Sequence, residues 1–311
     1  MLIGETSLLG HSTAVASWWQ LDPATMLALG ATLLLYAHGR RGLAAYRSGP
    51  ALLPPWRVRC FHAGLLVLAA ALVGPVDVVA EELFWVHMAQ HQLLALVAPP
   101  LLILGRGGLV IGSALPRPVR RVLVPGRWMP RPLRSGGALA AAAAGIHAGT
   151  WWLWHLPGPY ELALRMELAH VAEHLLFLVS GAVLWSLTLR HRPRVSLPAA
   201  LLSVIAAMLP TSVLAGLLTF GARSWYEGHH AGHWGLTPLE DQQLGAALMW
   251  FPGSLGYLVV AAVIVFRGLA PPAVGPTTRG SGPDPEHRAG GPGRRILAPS
   301  SRRRDTARPP R

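Results

Sequence analysis

The chain has 311 residues, of which 52% are hydrophobic and only 13% are charged. A soluble domain carries about 25% charged residues, so this composition, with a mean hydropathy of +0.39, argues against a soluble protein. The formal net charge is +13, but the basic residues lie between apolar runs and in the C-terminal tail. Membrane topology therefore explains the charge better than nucleic-acid binding. Cys60 is the only cysteine, which excludes an intrachain disulfide and a cysteine-based metal cage.

The apolar runs predict an all-α, polytopic membrane helix bundle of about seven transmembrane helices, since a span needs about 20 mostly apolar residues. In chain order, the predicted spans are 21–37, 58–78, 83–104, 137–155, 169–189, 198–220 and 244–266. No cleavable signal is expected, because residues 1–20 lack a basic n-region. We expect an extracytoplasmic segment over 1–20, a membrane domain over 21–267 and a disordered basic cytoplasmic tail over 268–311.

The arginines in the loops indicate how the bundle is oriented. Twenty-five of the 27 basic residues fall in the tail or in loops on one side, and only Arg165 and Arg223 fall on the other. Cytoplasmic loops carry an excess of basic residues, so this pattern predicts that the N-terminus lies outside and the C-terminus inside. The Arg- and Pro-rich segment 106–135 is expected to contact anionic lipid of the inner leaflet.

Four histidines form two pairs inside predicted spans, where ionisable residues are costly and are candidates for function. His87 and His91 lie four residues apart in the third span, and His170 and His174 lie four residues apart in the fifth. Each pair therefore occupies one helix face. Glu173 is a candidate to orient a ligating histidine from beside the second pair. A rise of about 1.5 Å per residue places both pairs in the outer half of the bilayer.

Imidazole with thioether or carboxylate suits copper, zinc or iron, and nearby methionines such as Met88 favour copper as Cu(I). His155 and Met88 are candidates to extend such a site, His147 lies two turns deeper, and Asp241 is a candidate to attract the cation at the entrance. The histidine-rich loop 229–233 is a further place where metal could be captured. Alternatively, each buried histidine is structural and hydrogen-bonds between helices. The candidates meet only if the third, fourth, fifth and seventh spans are neighbours.

A longer pattern around these residues resembles a known family. The run Phe-Trp-Val-His-Met-Ala-Gln-His-Gln-Leu-Leu over 84–94, continued by Ala-Pro-Pro over 98–100, is similar to the hallmark segment of the multi-spanning CtaG-type cytochrome c oxidase assembly factors. The other matching segments are Trp154-His155, Pro159-Tyr160, His170-x-x-Glu173-His174, and Asp241-Gln242-x-x-Gly245. The resemblance covers roughly residues 20–267, and Gln92 departs from it, since an aliphatic residue is expected there.

The resemblance implies a non-enzymatic factor in a bacterial inner (plasma) membrane that supplies copper during maturation of a haem-copper oxidase, with an oxidase subunit as its partner. Three alternatives stay open on the sequence. Histidines on separate helices could ligate haem iron, as in a membrane cytochrome. A buried glutamate and proline-broken helices also fit a metal or proton transporter. Three histidines could hold a catalytic zinc, although no zincin spacing occurs.

Overall fold

The computed structural model describes residues 22–45, 52–122, 135–189, 195–226, 229 and 234–269, and all the regular structure within these ranges is helical. The helices are α1 Pro23–Ala44, α2 Pro55–Leu72, α3 Pro75–Glu82, α4 Phe84–Gln92, α5 Ala98–Leu104, α6 Gly107–Ala114, α7 Arg117–Val122, α8 Gly136–Trp154, α9 Pro157–Arg165, α10 Glu167–Thr188, α11 Leu197–Thr219 and α12 Pro238–Leu269. The predicted outer segment 1–20 and the predicted tail beyond 269 lie outside the described residues.

Four helical stretches among the described residues are long and apolar enough to cross a membrane, namely Phe84–Leu104, α10, α11 and α12. Helices α2 and α3 meet at a bend of 44° and together would form a fifth span. Two more helices, α1 with 22 residues and α8 with 19, are long but less apolar. The chain is therefore a multi-pass membrane protein, while the count of seven spans and their orientation stay predictions.

The surface of the bundle is apolar, and its interior combines an apolar core with a set of buried polar side chains. Leu168, Phe220 and Phe266 are each more than 70% exposed. Histidine, glutamine and glutamate side chains are buried among aromatic rings instead. This distribution is expected when the surrounding solvent is lipid, because apolar side chains then gain nothing by facing inward and polar groups must find partners within the bundle.

A π-helical segment, Leu93–Val97, continues α4 into α5. In an α-helix the Ala95 carbonyl would accept from the residue four positions later, but that residue is Pro99, which has no N–H. Trp185 of α10 supplies the missing donor, and its indole Nε1–H donates to the Ala95 carbonyl over 2.8 Å. Gly181, one turn earlier in α10, packs so closely on this carbonyl that a Cβ would overlap the oxygen. Helix α10 is thereby held against the third predicted span.

Candidate metal centre

Helices α4 and α10 place four polar side chains together in the interior of the bundle. His87 and His91 project from α4, and Glu173 and His174 project from α10. Each offers one nitrogen or oxygen atom that lies within 4.8 Å of the others. All four side chains are buried, with exposures between 0% and 9%. The i, i+4 spacing in α4 and the adjacent positions in α10 bring these groups to the facing sides of two helices. These residues are called the histidine cluster below.

The carboxylate of Glu173 lies between the two histidines of α4. Its Oε1 is 3.4 Å from His91 Nε2, and its Oε2 is 3.5 Å from His87 Nε2. Within the described residues, both oxygens of Glu173, both ring nitrogens of His91 and Nε2 of His87 and of His174 have no hydrogen-bond partner. A buried polar atom without a partner costs about 1–3 kcal/mol. A cation held among these lone pairs would remove that cost, so the residues present fit a metal ion.

His170 lies beside the histidine cluster. It is half-buried, and its ring centroid is 4.1 Å from that of His174 and 5.7 Å from that of His87. It does not belong to the group of four whose ligand atoms converge. His170 is partly exposed and lies one turn nearer the N-terminal end of α10 than His174. It therefore lies between the buried histidine cluster and the N-terminal end of that helix.

His155 and Met88 meet on another side of His91. Nε2 of His155 is 3.0 Å from the Met88 sulfur, and the His155 and His91 ring centroids are 5.9 Å apart. The backbone of His155 is held by Tyr226, whose hydroxyl donates to its carbonyl over 2.8 Å. Burial raises the pKa of Tyr226 well above its ordinary value, so the phenol keeps the proton that this hydrogen bond needs.

Asp241 is buried at the start of α12, and its carboxylate accepts hydrogen bonds from two backbone N–H groups at the start of α4. Attraction of a cation by Asp241 stays a prediction. The observed contacts add a positioning role, because they hold the turn of α4 that carries His87.

His147 lies in the bundle away from the histidine cluster. The indole N–H of Trp151 donates to its Nε2 over 3.2 Å, and the Tyr257 hydroxyl lies 2.7 Å from the same nitrogen. Its Nδ1 therefore carries the proton and faces the Ser180 hydroxyl at 3.3 Å. Both ring nitrogens are engaged by protein groups, which is the arrangement of a structural histidine.

Aromatic side chains surround the histidine cluster, and little in the sequence pattern predicted this. Phe177 stacks on the His91 ring at 4.1 Å. Tyr160 is hydrogen-bonded to Nε2 of His229, whose ring lies 6.1 Å from that of His87. The matching Pro159-Tyr160 motif was the available signal for Tyr160, and the histidine-rich loop was the signal for His229. Residues 230–233 of that loop lie outside the described residues.

One comparison with known proteins found a match to this chain. A family model described as cytochrome c oxidase caa3 assembly factor matches residues 34–270, a range that contains the histidine cluster, His155, Met88 and Asp241. No curated protein and no solved structure matches the chain. The family match covers more than half of the chain and confirms the resemblance drawn from the third span. The chain belongs to the cytochrome c oxidase caa3 assembly factor family.

Proposed function

We propose that the protein is a non-enzymatic assembly factor that binds copper within the membrane and passes it to a subunit of a haem-copper cytochrome c oxidase. Its family membership supports a role in oxidase assembly. The metal-binding part of the proposal rests on one observation. The buried side chains of His87, His91, Glu173 and His174 bring potential ligand atoms close together. Imidazole nitrogens of this kind are ligands for copper, and the buried positions exclude competing water.

The charge of the histidine cluster favours a monovalent cation. Glu173 supplies the single carboxylate of the cluster, and the three histidines are neutral when they act as ligands. One Cu(I) ion would cancel the carboxylate charge, whereas a divalent ion would leave a net positive charge in a region of low dielectric constant. An uncompensated buried charge is strongly unfavourable.

The position of the cluster also suits delivery. The cluster residues lie within the first eight positions of α4 and of α10, and the half-buried His170 lies beside them. Ligands at graded depth permit a metal ion to move between sites instead of being trapped in one. Transfer to an oxidase subunit would begin at this end of the bundle.

The proposed topology has seven spans in a bacterial plasma membrane, with the N-terminus outside and the C-terminus in the cytoplasm. The asymmetry of the loop arginines supports this orientation. Length and apolarity together identify up to five of the seven proposed spans. Helices α1 and α8, with 22 and 19 residues, are less apolar but long enough to supply the other two. In this orientation, the histidine cluster lies in the outer half of the membrane.

Copper binding is tested on the purified protein in detergent, reconstituted with Cu(I) under reducing conditions. Wild type is expected to retain copper, and the double variant His87→Gln, His91→Gln is expected to lose the ion held by the histidine cluster. His62→Gln is the matched control, because His62 is exposed on α2. Copper binding that is insensitive to the double replacement would refute the site. A Soret band in the visible spectrum of the purified protein would indicate haem instead.

The assembly role is tested in cells by deleting the gene and measuring the activity and the metal content of the oxidase, with and without added copper. We expect the deletion to lower the copper content and activity of the oxidase, and added copper to restore them in part. Normal copper content and activity in the deletion strain would rule out the assembly role.

A further inference from the structure

The contact between His155 and Met88 brings together two atoms that can both accept a hydrogen bond. The Met88 sulfur lies 3.0 Å from His155 Nε2, and both side chains are fully buried. The other ring nitrogen, Nδ1, lies 2.7 Å from the backbone carbonyl oxygen of Trp151. A carbonyl oxygen can only accept, so Nδ1 carries the proton and donates it.

A neutral imidazole has one N–H, so Nε2 of His155 presents its lone pair to Met88. A thioether sulfur has no hydrogen and is itself a weak acceptor. Two lone pairs therefore face each other at 3.0 Å in a buried region. This arrangement is unfavourable for the metal-free neutral pair, and it becomes favourable when a cation lies between the two atoms.

A second proton on His155, at Nε2, would also remove the repulsion between the two lone pairs, but it is unfavourable in this environment. The other rings in contact with His155 are those of Trp151, Phe177 and His91, and among the described residues His155 forms no ion pair with a carboxylate. A buried imidazolium without a countercharge is costly. A soft metal ion is better matched, because imidazole with thioether sulfur is a ligand set that selects Cu(I).

We propose that His155 Nε2 and Met88 Sδ form a second Cu(I) site, distinct from the histidine cluster. The proposal rests on the proposed function, since Cu(I) is the cargo in both. The His155 ring is fixed by its bond to Trp151 and by stacking on that residue's indole, whereas the unbranched Met88 side chain can shift to admit the ion. The 5.9 Å between the His155 and His91 rings makes the two sites neighbours.

The two sites differ in the metals that they accept. The histidine cluster offers only nitrogen and oxygen ligands, whereas the second site includes a thioether sulfur, which favours Cu(I) over harder cations. Passage through the second site would therefore select copper in its reduced state.

The test uses full-length protein in detergent, titrated with Cu(I) under reducing conditions and examined by X-ray absorption. Wild type is expected to bind two Cu(I) ions per chain and to show sulfur in the copper coordination shell. Met88→Leu keeps the side-chain volume and is expected to bind one ion and lose the sulfur signal. Met249→Leu, at another fully buried methionine, is the control and is expected to bind two.

The outcomes separate this proposal from the proposed function. Wild-type protein without sulfur around its copper, or Met88→Leu that still binds two ions, would overturn the second site. If His87→Gln, His91→Gln still abolished one ion in that case, copper binding at the cluster would stand. The wild-type X-ray absorption result does not depend on any variant, so the absence of sulfur around copper would overturn the second site even if Met88→Leu does not fold.

Discussion

Oδ2 of Asp241 accepts a 2.8 Å hydrogen bond from the backbone N–H of Phe84, 157 positions earlier in the chain. Its Oδ1 accepts from the N–H of Trp85 over 3.0 Å. The first N–H groups of a helix lack partners within the helix, and Leu83, which precedes α4, has no side-chain acceptor. Asp241 of α12 thus caps α4 in place of a local residue, and the placement of the histidine cluster depends on this contact.

Replacing Asp241 by asparagine is expected to destabilise the protein by about 1–3 kcal/mol, because the amide can accept only with its oxygen and turns an N–H₂ group toward the second backbone donor. Copper affinity is expected to fall with it, since the first turn of α4 loosens. Unfolding in detergent and Cu(I) titration measure the two effects. Arg165→Gln is the control, because Arg165 is exposed and its ion pair with Glu161 contributes little. Equal stability of the two variants would contradict the capping role.

Gly181→Ala is expected to push α10 away from the π-helical segment, because the new methyl group would overlap the Ala95 carbonyl oxygen. Overpacking of this kind costs about 1–3 kcal/mol. The displacement also moves Glu173 and His174, two turns earlier in α10, so copper affinity should decrease. Thermal unfolding and Cu(I) titration provide the measurements.

The matched control for this substitution is Gly149→Ala in α8. The added methyl group there would meet nothing within 4 Å, so stability and copper binding should be retained. A Gly181→Ala protein as stable as this control would show that the contact between α10 and the π-helical segment tolerates an extra carbon.

Replacement of His147 by glutamine should affect stability, whereas replacement of His91 by glutamine should affect copper binding. His147 has protein partners at both ring nitrogens, so His147→Gln is expected to lower the melting temperature and leave copper stoichiometry unchanged. His91 has no hydrogen-bond partner among the described residues, so His91→Gln is expected to reduce copper binding with little effect on the metal-free melting temperature. Metal analysis and thermal unfolding of the same preparations test both; copper loss in His147→Gln would contradict this division.

Gln92→Met is expected to stabilise the protein by about 1–3 kcal/mol, since it removes a buried amide without a hydrogen-bond partner in the described part of the chain. Methionine has a similar length and flexibility, so it can occupy the space against Gly253 of α12. Unfolding in detergent gives the change in free energy. A destabilised Gln92→Met protein would mean that the amide makes favourable interactions in the folded membrane protein.

The sequence predicted the long apolar helices closely but missed the break in the second span. The predicted spans 83–104 and 198–220 correspond to Phe84–Leu104 and to α11, Leu197–Thr219. The predicted span 58–78 is broken between α2 and α3, where Gly74 adopts φ 91° and Pro75 follows it. Hydrophobic composition indicates that a segment is apolar, but it does not report where the backbone changes direction.

The candidate site was predicted as pairs of residues and observed as contacts between helices. Spacing of four residues was enough to place His87 and His91 on one face of α4. The rotation of each helix about its axis is set by packing, so the sequence could not assign Glu173 a position between two histidines or bring Met88 to His155, 67 positions away. Tertiary contacts of this kind decide which polar residues converge in the candidate metal site and which cap a helix.

The hydrogen bond that the Trp185 indole donates to the Ala95 carbonyl has a consequence for the biogenesis of the protein. A carbonyl without a donor costs several kcal/mol in lipid, so the stretch Phe84–Leu104 cannot be fully satisfied as an isolated helix in the bilayer. Its donor lies 90 residues later in the chain and is made only after α8 and α9 have been synthesised. The segment that carries His87 and His91 therefore reaches its final state late in membrane insertion, after α10 has docked, and the histidine cluster is completed by the same event.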